Sequence, residues 1–267
     1  MDNLVLKLVL TPTLIGVASL TGRRWGPVVS GWLVGFPFTS APIALFLALN
    51  QGATFASAAA AGTMAGALSQ AAFCLAYGWL AARERWPIAL GAACIAFAIS
   101  TATLRTLAVP LTALCALVVA GLVVALRVMP AREVDGSGRH AAPGAVALGA
   151  TREPAPRWDL AARMVVATGF VLLLTGAAPA LGPRLTGLLA PFPLYGAVLA
   201  VFAHRLHGPG AAIAVLHGLL AGLFAFAGFF FVLAALIEGA GIAPAFAAAL
   251  ALTLAVQAGA LWALRRR

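Results

Sequence analysis

The chain has 267 residues, of which 63% are hydrophobic and only 9% charged, with a mean hydropathy of +1.03. A soluble domain needs about a quarter of its residues charged, so the composition excludes one and places most of the surface in hydrocarbon. The net charge of +10 does not point to nucleic acid, because the basic residues gather at the ends of apolar runs, where they suit anionic lipid headgroups.

Uncharged runs of about 17–25 residues are long enough to cross a bilayer core as helix. In chain order they predict nine spans, at 4–20, 27–49, 54–82, 87–104, 107–126, 160–181, 185–203, 211–237 and 242–264. The third and eighth are long enough to tilt. The apolar stretch 87–126 is too long for one crossing, and Arg105 and Thr106 mark the break within it. The runs are continuous rather than alternating, which excludes barrel strands. No small-residue cleavage motif follows the first run, and Arg23 and Arg24 close it, so it reads as a span rather than a leader. Residues 127–159 are rich in Gly, Pro and mixed charge without a periodic apolar face, the composition of a disordered linker.

Charge gives the orientation. All but three of the 17 lysines and arginines fall on one side of the nine-span arrangement. They are Arg23 and Arg24; Arg83 and Arg85; Arg127, Arg132, Arg139, Arg152, Arg157 and Arg163; Arg205; and Arg265, Arg266 and Arg267. Lys7, Arg105 and Arg184 lie opposite. The basic side is the cytoplasmic one. The expectation is a multi-pass protein of the bacterial inner (cytoplasmic) membrane, amino terminus outside and carboxyl terminus inside.

The chain also matches itself. The run from Gly26 to Pro37, G-P-V-V-S-G-W-L-V-G-F-P, returns 156 residues later as Gly182 to Pro193, G-P-R-L-T-G-L-L-A-P-F-P. The register holds beyond it, where Ala41, Ala44, Phe46, Gly52, Gly62 and Gly66 fall on Ala197, Ala200, Phe202, Gly208, Gly218 and Gly222. This is an internal duplication. The expected architecture is all-α: a four-helix repeat over 1–104, a linking span over 105–126, a cytoplasmic loop over 127–159 and a second four-helix repeat over 160–267. Corresponding spans lie five apart, an odd number, so the repeats cross the membrane in opposite senses. Inverted repeats are a common build of secondary transporters, whose site lies between them near the midplane.

Candidate chemistry follows the repeat. Pro37 and Pro193 fall at matched points inside spans 2 and 7, where proline removes an N–H and frees carbonyls that need partners. They predict a pair of kinked helices lining a pathway. The candidate lining is Phe36, Pro37, Thr39, Ser40, Gln70, Phe192, Pro193, Tyr195 and His217. Packing is the plainer role for the prolines, and a bonded, non-titrating imidazole the plainer role for His217, though that residue is the one titratable group deep in a predicted span. Gly62 and Gly66, matched by Gly218 and Gly222, are small-xxx-small pairs suited to close helix contact. Ser69, Ser100, Thr101, Thr103 and Gln257 are the other polar residues inside spans.

None of the seven acids, Asp2, Glu84, Glu133, Asp135, Glu153, Asp159 and Glu238, lies mid-span, which argues against a carboxylate-driven cation carrier. There is no Walker loop, H-E-x-x-H or G-x-S-x-G motif, so ATPase, protease and hydrolase chemistry is not expected. Cys74, Cys94 and Cys115 lie inside spans without C-x-x-C spacing and read as small apolar side chains. No cofactor or metal is expected.

Thr186-Gly187-Leu188-Leu189-Ala190-Pro191-Phe192-Pro193, followed by Phe202-Ala203-His204, resembles the signature of the small GlpM-type bacterial inner-membrane proteins, single units of about four spans. The first half departs from it at Ala48 and Leu49, which stand where the second half has His204 and Arg205. The resemblance implies a fused pair of such units and carries no catalytic residue. Two functional readings stand: a permease or exporter of an uncharged or weakly charged solute, and a non-transporting membrane subunit or scaffold. The expected partners are the lipid bilayer, a small-molecule solute, and either a second copy or a membrane partner subunit.

Overall fold

The computed structural model describes residues 8–9, 12–13, 37–130 and 157–265. Most of the first expected span, the run from 14 to Phe36 with Arg23 and Arg24, residues 131–156 of the expected loop, and Arg266 and Arg267 lie outside the described residues.

Among the described residues there are eight helices. They are α1 (Ser40–Gln51), α2 (Ala53–Ala81), α3 (Trp86–Arg105), α4 (Leu111–Val128), α5 (Arg157–Leu189), α6 (Leu194–His207), α7 (Pro209–Ala240) and α8 (Ile242–Arg265). Six of them, α2, α3, α4, α5, α7 and α8, are long and apolar enough to cross a membrane. Their composition leaves no other solvent for the outer faces. Ile95, Ile99, Val165 and Leu173 are each more than 60% exposed, which water would penalise and lipid does not.

Two expected spans are not continuous helices. The apolar runs 27–49 and 185–203 predict helices kinked at Pro37 and Pro193. In the structure the second of them is broken. Helix α5 turns a corner at Gly182 (φ 74°, ψ 167°) and ends at Leu189, so residues 183–189 form a short arm. The chain then leaves helical geometry and starts α6 at Leu194. Pro193 has φ −81° and ψ 53°, too far from helical ψ to be a bend within one helix. In the first run, Pro37 precedes a turn and α1 begins at Ser40. Helices α1 and α6 have 12 and 14 residues, only about 18–21 Å of rise, well short of the hydrocarbon thickness of about 30 Å.

The core lies between α2 and α7, the most extensively packed pair in the bundle. Met64 and Phe73 of α2 and Leu216, Leu220 and Phe230 of α7 are fully buried. Phe226, Phe229 and Phe246 stack around Phe230 and Phe229 with centroids 4.7–6.1 Å apart, the edge-on and tilted geometries that aromatic quadrupoles favour. Helices α3 and α4 flank α2, α6 and α8 flank α7, and α5 packs on α2. The Ser57 hydroxyl near the start of α2 donates to the Ala234 carbonyl near the end of α7 at 2.9 Å, so the two central helices run antiparallel.

Single glycines join four pairs of helical segments. Gly52 (φ 89°) links α1 to α2 and Gly208 (φ 86°) links α6 to α7, both with ψ near 180°; Gly182 and Gly241 are the other two. That region of backbone space is essentially open to glycine alone. The Gly52 and Gly208 corners keep their polar groups paired. The Gly52 N–H donates to Ala48 and its carbonyl accepts from Ala56, and Gly208 repeats this with His204 and Ala212.

Candidate functional site

The start of α1 and the break between α5 and α6 meet. The Ser40 hydroxyl, at the start of α1, donates to the Ala190 carbonyl at 3.0 Å, across 150 residues of sequence. Ser40 is buried and Ala190 almost completely so. Ile43, Phe46 and Leu47 of α1 pack with Val171, Leu174 and Ala178 of α5 and with Ala190 in one apolar cluster. The polar contact is therefore enclosed, and the Ala190 carbonyl has a partner where a lipid environment supplies none.

The local backbone at the breaks is alike. The Ala41 N–H donates to the Pro37 carbonyl at 2.8 Å, and the Ala197 N–H to the Pro193 carbonyl at 2.7 Å. Each proline lacks its own N–H, and at Pro193 the preceding carbonyls lose a helical donor and the segment before it is a turn. Phe192 N–H reaches back to Leu189, and Leu194 N–H to Phe192, in such tight turns.

Helix ends fix the direction of each piece. Tyr77, near the end of α2, pairs through its hydroxyl with His204 Nδ1 at 3.3 Å. Arg205 lies over the Trp86 ring at the start of α3, 5.7 Å from its centroid. Met129, just past α4, lies against Gly78 of α2. Arg83, Arg85, Arg127 and Arg205 thus share one end of the bundle. At the other end the Arg184 guanidinium donates to the Leu104 carbonyl at 3.1 Å, placing it beside Arg105 and capping α3 with the charge its carbonyl end favours. The arm and α6 together run from the Arg105 end to the Arg85 end. Helix α1 starts at the same junction as α6 and reaches Gly52, at the start of α2, which is the Arg105 end. The two short helices leave the junction in opposite directions.

Backbone contact holds the arm in place. A Cβ on Gly62 would lie 2.7 Å from the Arg184 carbonyl, and one on Gly66 would overlap the Pro191 ring and lie 2.9 Å from the Leu188 carbonyl. A Cβ on Gly187 would collide with the Ala59 carbonyl. Glycine at all three positions lets the arm and α2 approach main chain to main chain. Gly218 and Gly222, the matched pair on α7, are half-buried.

Of the other expected lining residues, Pro37 is buried and Thr39 half-buried at the cap of α1. Phe192 meets Phe97 of α3 edge-on at 5.1 Å. Gln70 is buried in α2, one helical turn beyond Gly66. The backbone of Tyr195 lies in the first turn of α6, with its side chain outside the described residues, as Phe36 is entirely. His217 is half-buried on α7, and its Nδ1–H donates to the Ile213 carbonyl of its own helix at 3.2 Å. The structure thus gathers Pro37, Ser40, Pro193 and Phe192 at the breaks with Gln70 alongside. Sequence reasoning left the Tyr77–His204 pair and the Ser69–Thr101 contact outside the site. Tyr77 carries no periodic or repeat signal, because its match 156 residues on is Leu233.

Comparison with known protein families, curated proteins and solved structures gives no match to this chain.

Proposed function

We propose that the protein is a small multi-pass permease or exporter of an uncharged or weakly charged solute, working by alternating access between two inverted repeats. The observation that carries this reading is the Ser40–Ala190 hydrogen bond, which brings the start of α1 and the break between α5 and α6 into contact. Irregular backbone at membrane depth persists where protein encloses it or where it lines a cavity, and discontinuous helices at a repeat interface are how many secondary carriers build their sites.

Three further features support it. The bonds from Ala41 to Pro37 and from Ala197 to Pro193 lie 156 residues apart, the same shift that relates the Gly52 and Gly208 corners. Helices α1 and α6 leave the junction in opposite directions, as inversion requires. The groups identified around the junction are neutral, which suits an uncharged cargo. On this reading nine spans cross the bacterial inner membrane, and each half is a unit of the GlpM type.

The experiment is flux in proteoliposomes carrying the full chain. Stopped-flow light scattering would follow a panel of neutral solutes (urea, glycerol, sorbitol) beside choline and glutamate. Protein-dependent entry of at least one neutral solute, with the charged ones excluded, is expected. No protein-dependent flux of any solute, together with stable co-purification of a membrane protein, would leave the scaffold reading in its place.

A further inference from the structure

The arm 183–189 packs on α2, and α6 packs on α7 with its ends touching α2 and α3. Along α2, Gly62 and Gly66 meet the arm and Tyr77 meets His204 near the end of α6. Along α3 in the reverse sense, Trp86 meets Arg205, Phe97 meets Phe192 and Leu104 meets Arg184. These contacts set the level of every residue between them. Ser69 and Gln70 stand one turn past Gly66, which touches Pro191, toward the Arg85 end. Thr101 stands one turn past Phe97, which touches Phe192, toward the Arg105 end. The bond from Thr101 to Ser69 therefore spans the level of the break.

The hydroxyls there behave differently from most buried threonines. Thr63, Thr175, Thr186 and Thr253 each donate to the carbonyl four residues back on their own helix. Such a bond satisfies the group locally and leaves little for a ligand. The Thr101 hydroxyl instead donates to Ser69 Oγ at 2.9 Å, and Ser69 donates to Ser100 Oγ at 3.3 Å, forming a row between α2 and α3. A hydroxyl offers one donor and two acceptor positions, and the Gln70 amide adds two donors and an acceptor. The row's two internal bonds use only part of that capacity. Ser69, Gln70 and Thr101 are at most 7% exposed, and Ser100 at the row's end is half-buried.

We infer that Ser69, Ser100 and Thr101, with the Gln70 amide, form the polar wall of a binding site for a small neutral solute bearing hydroxyl or amide groups, level with the second helix break. This rests on the permease reading and names the class of solute it carries. Neutral donors and acceptors replace the water around such a solute without the desolvation that a charged partner imposes.

The test uses the full chain in proteoliposomes, with Cys74, Cys94 and Cys115 replaced by alanine and single cysteines introduced as Ser69→Cys, Thr101→Cys and, on the lipid-facing side of α3, Ile95→Cys. The charged thiol reagent MTSET reacts with a hydrated thiolate and not with a thiol in hydrocarbon. Modification at 69 and 101 at least about tenfold faster than at 95 is expected. In parallel, Thr101→Val is expected to lower neutral-solute flux roughly fivefold, the rate equivalent of one ordinary hydrogen bond, while Thr101→Ser retains it. Reaction at 69 and 101 no faster than at 95, or equal flux in Thr101→Val and Thr101→Ser, overturns the site and leaves a working permease standing. Rapid labelling at both positions with no flux of any solute from the unsubstituted protein supports the hydrated polar wall and removes the permease reading instead.

Discussion

At the scale of single residues, main-chain proximity matters more here than side-chain chemistry. Gly187 faces the Ala59 carbonyl with no room for a methyl group, while Gly169, earlier in the same helix α5, has nothing within 4 Å of where its Cβ would be. Gly187→Ala therefore forces the arm off α2 and is expected to destabilise the protein by about 1–3 kcal/mol, the scale of overpacking. Gly169→Ala is expected to be neutral, or to stabilise by up to about 1 kcal/mol through backbone entropy. Thermal unfolding of both variants in detergent checks the pair, and equal effects would mean that the arm does not depend on close approach. A small-xxx-small spacing in the sequence marks Gly62 and Gly66 as contact points, but it cannot say what they contact. Their partner is a seven-residue arm more than 100 positions away, and only its Gly187 hints at a matching surface.

At the scale of elements, apolar runs locate crossings well and describe them poorly. The run 54–82 predicts α2 within one residue at each end, and 242–264 predicts α8 similarly, because continuous hydrophobicity over a bilayer's depth has one economical solution. The runs 27–49 and 185–203 look the same to that criterion. A kinked helix and a broken one bury similar apolar side chains, and the difference lies in backbone torsions at Pro193 that hydropathy does not register. The Ser40–Ala190 contact is equally invisible, since nothing local marks a serine for a carbonyl 150 residues away. Helix α6 lies between the break at 190–193 and the Gly208 corner, so both of its ends can absorb rotation. At Gly208 a Cβ meets open space, but φ is +86°. Gly208→Ala is thus expected to cost about 1–3 kcal/mol through backbone strain alone, read by the same unfolding assay, and a neutral result would show that the corner relaxes freely. Replacing both break prolines, Pro37→Ala with Pro193→Ala, restores two N–H groups and the torsional freedom to continue the helices. The expected outcome is normal insertion and yield with a several-fold loss of flux; unchanged flux would assign the prolines to packing.

At the scale of the whole molecule, the two ends of the bundle are chemically unequal. Arg83, Arg85, Arg127 and Arg205 gather at one end through the Tyr77–His204, Arg205–Trp86 and Gly78–Met129 contacts. Arg105 and Arg184 stand at the other, where Arg184 is engaged with the Leu104 carbonyl of α3. The sides that charge counting gives these six arginines are the same sides on which the packing places them. Because membrane insertion retains Lys and Arg on the cytoplasmic side, the proposed topology makes the Arg85 end the cytoplasmic one. Helix α8 follows α7 past the Gly241 corner and returns toward that end, which brings Arg265 to the same end as Arg85. The proposed nine crossings, an odd number, put the amino terminus outside. A reporter active only in the cytoplasm is expected to be active when fused after Arg267 and inactive when inserted at Asn3. Activity at both positions would give an even number of crossings. An even count would remove the nine-span topology, while the antiparallel run of α2 and α7 would still have to be explained.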